Sequence, residues 1–259
     1  MILDPIVVFC LRHRIRGGGR LRRIVGPARR LNVVTKHGIK LMVDPDEGLD
    51  TSIIVNGFYE EEVYAAVAEH LKQGDVFWDV GANLGLHALT VKKHFPGVEV
   101  FAFEPNPSML ELLHESARKN DLSIQIVPTA LDEKNGGSQF FVHPGNTGRC
   151  GLHNWNEDPN LPRITVNTAC GDTLIEQAVV KPPNVMKIDV EGHERAALEG
   201  LRLVLEKGPL RVIVFEDLID DDRGVKSLLT QHGFTIMPLD RTDSDNPALK
   251  NYLAIRSGS

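Results

Sequence analysis

The sequence predicts an α/β fold: a doubly wound, seven-stranded, mostly parallel sheet with helices on both faces and an antiparallel last strand. Three observations predict it. From residue 76 onward, strand-like apolar runs alternate with helical patterns. A glycine turn, Asp79-Val80-Gly81-Ala82-Asn83-Leu84-Gly85, joins the first of those runs to the first helical pattern. A polar stretch from Asp240 to Asn246 with no helical pattern joins the last two runs, which makes them a hairpin rather than another crossover.

A chain of 259 residues, 42% hydrophobic and 25% charged, suits one medium domain with an appendage. The division falls near Gly74: residues 1–74 read as a helical and β-hairpin extension, residues 75–259 as the main ligand-binding domain. A net charge of −6 argues against a general polyanion binder. Cys10, Cys150 and Cys170 are scattered and share no C-x-x-C spacing, so they read as reduced thiols of a cytosolic protein.

The N-terminus differs from the rest. Ile6 to Leu11 is apolar, and Arg12 to Arg30 then carries eight arginines and no acid. Asp4 replaces the basic start of a signal peptide, and the apolar run is too short to span a bilayer. Two readings stand side by side. One is a peripheral membrane contact through residues 1–30, a basic tether on anionic lipid. The other is an amphipathic helix packed on the domain, with its arginines in water.

Leu31 to Lys36, His37-Gly38 and Ile39 to Val43 read as a hairpin on a glycine-containing turn. Asp44 to Gly48 is a polar loop, Asp50 to Asn56 a short helix, and Gly57-Phe58-Tyr59-Glu60 a turn. Glu61 to Lys72 places Val63, Val67 and Leu71 on one helical face. Strands follow at 76–80, 98–103, 123–129, 184–190, 210–216, 233–238 and 250–256. Helices fall near 84–95, 107–119, 172–179, 193–206 and 222–232. Between 136 and 163 lies a Gly/Asn/Pro-rich insertion with Phe140-Phe141-Val142 and His153-Asn154-Trp155, either a pocket wall or a surface flap.

The chemistry concentrates at three places. A strand, glycines and a helix bring a ligand onto exposed backbone N–H groups, and Asn83 tolerates the left-handed conformation the turn needs. Glu104, in Glu104-Pro105-Asn106, ends the second run about twenty positions on, where an acid holds a ribose diol. That pair of features suits NAD and S-adenosylmethionine alike. The third place is Met186-Lys187-Ile188-Asp189-Val190-Glu191-Gly192-His193-Glu194, at the carboxyl end of the fourth core strand, where open parallel sheets bind ligands. Strand alternation puts Asp189 and Glu191 on one face, and a helix from Gly192 lifts His193 and Glu194 beside them. Such a group can serve as base, metal site or cofactor clamp, or its glutamates can simply favour a helix N-terminus. No metal is expected, since Asp189, Glu191 and His193 alone would hold it.

Together with Gly57-Phe58-Tyr59-Glu60, these three blocks, in this order, resemble the FkbM-type methyltransferases, over roughly residues 44 to 256. The resemblance implies a Rossmann-like class I methyltransferase fold, S-adenosylmethionine as cofactor, and methyl transfer to a hydroxyl of a sugar, glycan or natural product. It implies that Asp79, Gly81, Ala82, Asn83 and Gly85 hold the methionine part, and Glu104 the ribose. Pro105, Asn106, Ala130 and Leu131 would then shape the adenosine pocket, with Asp132 accepting from the adenine amino group. Asp189 would face the sulfonium, with Glu191 and His193 towards the acceptor, and Glu60 would reach the methionine ammonium or the substrate. Asp189, His193 and Glu216 are the candidate bases. A small-molecule or glycan acceptor, no nucleic acid and a cytoplasmic, membrane-peripheral setting follow. The competing classes are a nicotinamide-nucleotide oxidoreductase, which shares the turn and the acid, and a nucleic-acid methyltransferase, encouraged only by the arginines.

Overall fold

The computed structural model describes residues 30–45, 47–154, 158–218, 224–239 and 249–256. The arginine-rich N-terminus, Trp155 and the Asp240–Asn246 connection lie outside the described residues. Among the described residues, no helix is long and apolar enough to cross a membrane.

Strands β1 (Leu31–Val34) and β2 (Lys40–Val43) form an antiparallel hairpin, closed by Thr35 N–H donating to Ile39 O at 2.8 Å. Helix α1 (Gly48–Asn56) ends at Gly57, whose left-handed backbone lets its N–H close on Ile53 O. Helix α2 (Glu61–His70) follows and leads to β3 (Val76–Val80), α3 (Leu86–His94), β4 (Glu99–Phe103) and α4 (Pro107–Asn120). Asn106 starts α4 by accepting from Ser108 N–H at 3.1 Å, with Pro107 in the first turn where its missing donor is harmless. β5 (Gln125–Val127), β6 (Ala130–Leu131), β7 (Gly136–Phe141), β8 (Arg163–Ala169) and α5 (Gly171–Glu176) come next. The chain closes with β9 (Val185–Ile188), α6 (Glu194–Glu199), α7 (Arg202–Lys207), β10 (Val212–Leu218), α8 (Val225–Gln231), β11 (Phe234–Pro238) and β12 (Leu249–Arg256).

The main sheet has seven strands in the order β11-β12-β10-β9-β3-β4-β5. β10, β9, β3, β4 and β5 are parallel, whereas β12 runs antiparallel to both β10 and β11. The antiparallel last strand is the one the sequence predicts, and it counts against the dehydrogenase-type sheet.

Strand alternation divides the core in two. Phe77, Val100, Val185 and Val214 point to one face, under α1 to α4 and the hairpin. Val76, Trp78, Phe101, Met186 and Phe215 point to the other, under α5 to α8. Both faces are covered, which is why these strands read as continuous apolar runs. Trp78 is fully buried and donates its indole N–H to Lys181 O at 2.9 Å, so Trp78→Ala would cost about 3–5 kcal/mol.

Two expectations are corrected. The insertion and its flanks form a second, three-stranded sheet, β6-β8-β7. β7 buries only Phe140, so it carries almost no alternating signal. The single helix expected over 193–206 is two, α6 and α7, broken at Gly200-Leu201. A Cβ at Gly200 would come within 2.1 Å of Asp132 O, so the helix end is pressed against the backbone after β6.

Candidate active site

The carboxyl ends of β3, β4, β9 and β10 converge on a cavity of 510 Å³, within the usual range for small-ligand pockets. Its wall includes Glu60, Gly81, Ala82, Asn83, Glu104, Pro105, Asn106, Ala130, Leu131, Asp189, Glu191, His193 and Glu216. Residues read from six separate stretches are therefore brought together. Asp79 and Gly85 are not among the lining residues, for reasons their contacts supply.

Asp79 is fully buried under the turn, with Oδ2 accepting from Ala88 N–H at 2.9 Å in the first turn of α3. Its other oxygen lies 3.5 Å from Lys187 Nζ, directly across the β3–β9 register. Gly85 precedes α3 with φ of 89°, and a Cβ there would meet Leu113 Cδ1 at 2.2 Å. Both residues hold the turn from behind.

The turn itself has left-handed backbone at Gly81 and Asn83, with φ of 79° and 51°. Its N–H groups are not offered to a ligand as the sequence suggests. Gly81 and Ala82 both donate to Phe103 O, at 3.1 and 2.9 Å, and Gly85 donates to Ala82 O at 2.8 Å. Asn83 N–H donates to Glu104 Oε2 at 2.8 Å. What the turn presents instead is a side chain: Asn83 Oδ1 is buried with no partner among the described residues.

Glu104 is 5% exposed and fixed by a second bond, from Asn106 N–H to Oε1 at 2.8 Å. Burial raises its pKa to about 7, against the opposing pull of those two amides and of Lys187. Each oxygen keeps a further lone pair for a ligand hydroxyl.

Lys187, only 4% exposed, is the buried cation behind the site; the sequence places it in the acid block without a role of its own. Its Nζ lies 3.4 Å from Asp189 Oδ2 and donates to Gly81 O at 3.2 Å, besides its contact with Asp79. Burial pulls its pKa down, but Asp189, Asp79 and Glu60 outweigh burial and hold the ammonium above its ordinary value. Its signal was the strand period: Val185 and Lys187 face the same layer as Phe77 and Asp79.

After β9 the alternation stops. β9 ends at Ile188, and Glu191 and Gly192 are left-handed, with φ of 54° and 92°, so Asp189 and Glu191 are brought together by a loop and not by a strand. Glu194, expected beside them in the site, folds back instead: its Oε1 accepts from Val190 N–H at 3.0 Å and Gly192 N–H at 3.1 Å. Glu191 is pushed well above the ordinary carboxylate range by burial, then by Asp189, Glu216, Glu194 and Glu60. Asp132 is engaged by His193 Nε2 at 3.1 Å and is not among the lining residues. Glu60, with φ of 53°, accepts from Asn251 Nδ2 on β12 at 3.1 Å.

The insertion supplies a wall. Phe140, His143 and the segment from Asn146 to Leu152 line the cavity, anchored by Thr147 N–H donating to Glu47 Oε2 at 2.7 Å. Cys150 belongs to that wall, and burial pushes its thiol up to about 11, away from reactivity. Among the described residues, no group of three or more His, Cys, Asp or Glu is arranged to hold a metal ion.

Comparison with known proteins agrees with this geometry. The Methyltransferase FkbM domain matches residues 79–236. The hexuronic acid methyltransferase AglP of Haloferax volcanii is 31% identical over 172 residues, covering 66% of this chain and 68% of that protein. The 31-O-demethyl-FK506 methyltransferase FkbM of Streptomyces tacrolimicus is 26% identical over 216 residues, covering 73% and 83%. Methyltransferase 1 of Beauveria bassiana is 26% identical over 198 residues, covering 68% and 78%.

Proposed function

This chain belongs to the FkbM methyltransferase family, and from that premise we propose that it transfers a methyl group from S-adenosylmethionine to a hydroxyl oxygen of a sugar, glycan or small natural product. One observation carries the cofactor assignment: the cavity joins a ribose-type acid to four further carboxylates, which among the described residues Lys187 and Arg149 only partly offset. Glu60, Asp189, Glu191 and Glu216 all line it, a charge balance that suits a ligand bearing a sulfonium and an ammonium. Asn83 Oδ1, an acceptor, and His87 Nδ1, both buried on lining residues without partners among the described residues, are polar atoms that a ligand group would satisfy.

When bound, S-adenosylmethionine supplies a methyl group made electrophilic by its sulfonium. In this reading Glu104 accepts from the ribose hydroxyls with the lone pairs its two amide bonds leave, and Pro105, Asn106, Ala130 and Leu131 enclose the adenosine. Gly81, Ala82 and Asn83 border the methionine part, and Glu60 and Asp189 place negative charge around it. Asp79 and Gly85 act through the turn they support. Glu191, His193 and Glu216 border the acceptor, which must be aligned with the methyl and relieved of its proton. The names of two relatives, one a hexuronic acid methyltransferase and one acting on an O-demethyl compound, favour a hydroxyl-bearing acceptor.

Calorimetric titration with S-adenosylmethionine and S-adenosylhomocysteine, repeated on Glu104→Ala, tests the cofactor. Micromolar-range binding abolished by the substitution is expected; no heat from either ligand in the wild type would overturn the reading. Methyl transfer is then assayed on uronic acid glycosides and neutral hexosides with a labelled cofactor. A nitrogen or carboxylate as the methylated atom would overturn the hydroxyl assignment.

A further inference from the structure

The groups bordering the acceptor side differ in what already holds them. Asp189 lies 3.4 Å from Lys187 Nζ, a fixed cation that it shares with Asp79. Glu191 faces acids and has no cation within ion-pair distance among the described residues. His193 is different, because its Nε2 is bound at 3.1 Å to a carboxylate oxygen, Asp132 Oδ1. An ionised carboxylate only accepts, so the ring proton sits on Nε2 and the lone pair on Nδ1. His193 lines the cavity, and Nδ1 is the ring nitrogen left for what the cavity holds.

We propose that His193 is the general base for the acceptor hydroxyl and that Asp132 is its positioning residue. This rests on the methyltransferase reading above. Asp132 is suited to the task because its backbone is fixed from two sides. Its N–H donates to Ala169 O at 3.0 Å, tying it to the small sheet, and its carbonyl abuts the end of α6 at Gly200. Oδ1 also accepts from Glu133 N–H at 2.7 Å. The small sheet thereby acquires a purpose, which is to hold one carboxylate against the start of α6. In the reaction the acceptor O–H bond breaks and its proton passes to Nδ1, while the oxygen forms its bond to the methyl carbon. The carbon–sulfur pair stays on sulfur, so a sulfonium and a neutral imidazole become a thioether and an imidazolium.

The other charged groups around the ring are Glu133 from the segment after β6, Glu191 and Glu194 beside it in the chain, and Asp189 and Glu216 on the cavity wall. Glu133 is paired with Lys134, and Glu199 with Arg195, so both are partly neutralised.

The test has two arms on the full chain. Ring ¹⁵N correlation spectra with S-adenosylhomocysteine added, with the His193 signals assigned by their loss in His193→Gln, read the tautomer without any acceptor. A proton on Nε2 is expected in the wild type, with the tautomers mixed in Asp132→Asn, whose amide can donate to Nε2 as well as accept from it. In the second arm, His193→Gln lowers kcat by about 100-fold or more with KM within a few-fold. Asp132→Asn lowers kcat as well, together with the tautomer change seen in the first arm, which a merely structural role would not produce. A proton on Nδ1, a tautomer that Asp132→Asn leaves unchanged, or full kcat in His193→Gln with the loss falling on Glu216→Gln would each overturn the proposal. Failure of S-adenosylhomocysteine to bind the wild type would instead count against the methyltransferase reading, and the tautomer result stands apart from it.

Discussion

Cofactor affinity should depend on pH through Glu104, and the dependence can be worked from the structure. Burial raises its pKa from 4.5 to about 7. Below that value the folded protein holds Glu104 protonated, and one of the lone pairs that would meet the ribose hydroxyls is lost. Binding then requires release of one proton, and affinity falls tenfold for each unit below the pKa. At pH 5.5 the S-adenosylhomocysteine Kd should be about 30-fold weaker than its plateau above pH 8, or about 2 kcal/mol. The raised pKa acts on stability with the opposite sign. The unfolded chain loses the Glu104 proton first, so its contribution to stability is intact below pH 4.5, declines as pH rises towards 7, and is then lost. Calorimetry from pH 5.5 to 8.5 in buffers of different ionisation enthalpy reads both the affinity and the proton released. In Glu104→Gln the pH dependence should vanish. The amide must also turn an N–H₂ towards Asn83 N–H or Asn106 N–H, so affinity should fall at every pH. A wild-type Kd that is flat from pH 5.5 to 8.5, with no proton release, would refute the role given to Glu104.

Three further outcomes are expected. Gly81→Ala should abolish S-adenosylhomocysteine binding and lower the Tm, because a Cβ there would lie 1.9 Å from Asp189 O on a backbone with φ of 79°; a melt and titration matching the wild type would show that the turn relaxes. Lys187→Met leaves Asp79 buried without its cation and should cost about 3–5 kcal/mol in urea unfolding at pH 8. The deficit should shrink at pH 5, where Asp79, whose pKa burial already raises, takes up a proton more readily; equal deficits at both pH values would count against the ion pair. Asp50 is buried, with its pKa raised to about 7 and Oδ1 unpartnered, so Asp50→Asn should stabilise the protein at pH 8 by a few kcal/mol (about 1.4 per pKa unit) and by almost nothing at pH 4. Its ionised form is the unfavourable one, so a gain that did not grow between pH 4 and 7 would contradict that assignment.

The parts of the fold legible in the sequence were those written in local chemistry. Val76-Phe77-Trp78 is apolar on both faces because layers cover both faces, and Gly81 and Asn83 announce a turn because few residues take a left-handed backbone without strain. Antiparallel β12 was readable from the polar, non-helical connection before it. The second sheet was not, since β7 opens with Gly136-Gly137 and buries one side chain, leaving neither period nor β-propensity to read. The break at Gly200 depends on Asp132, which lies far away in sequence, and no local pattern encodes that contact.

The same distinction explains the site. Sequence places acids near one another along the chain, but whether an acid faces a ligand is decided by which donors reach it first. Glu194 and Asp79 look like site acids and are consumed by backbone N–H groups, at Val190 and Gly192 for one and Ala88 for the other. Burying a carboxylate without such partners is costly, so acids next to tight turns are drawn into satisfying those turns. Of those that line the cavity, Glu191 and Asp189 sit where the backbone offers fewer donors, one on a left-handed residue and the other on the lysine, while Glu104 accepts from two backbone N–H groups and keeps lone pairs free. Lys187 was legible as a member of the acid block but not in its role, because a lysine on a strand resembles a solvated side chain. Only the β3–β9 register reveals it opposite Asp79, where a single ammonium ties the glycine turn, the strand end and the acid loop into one rigid wall.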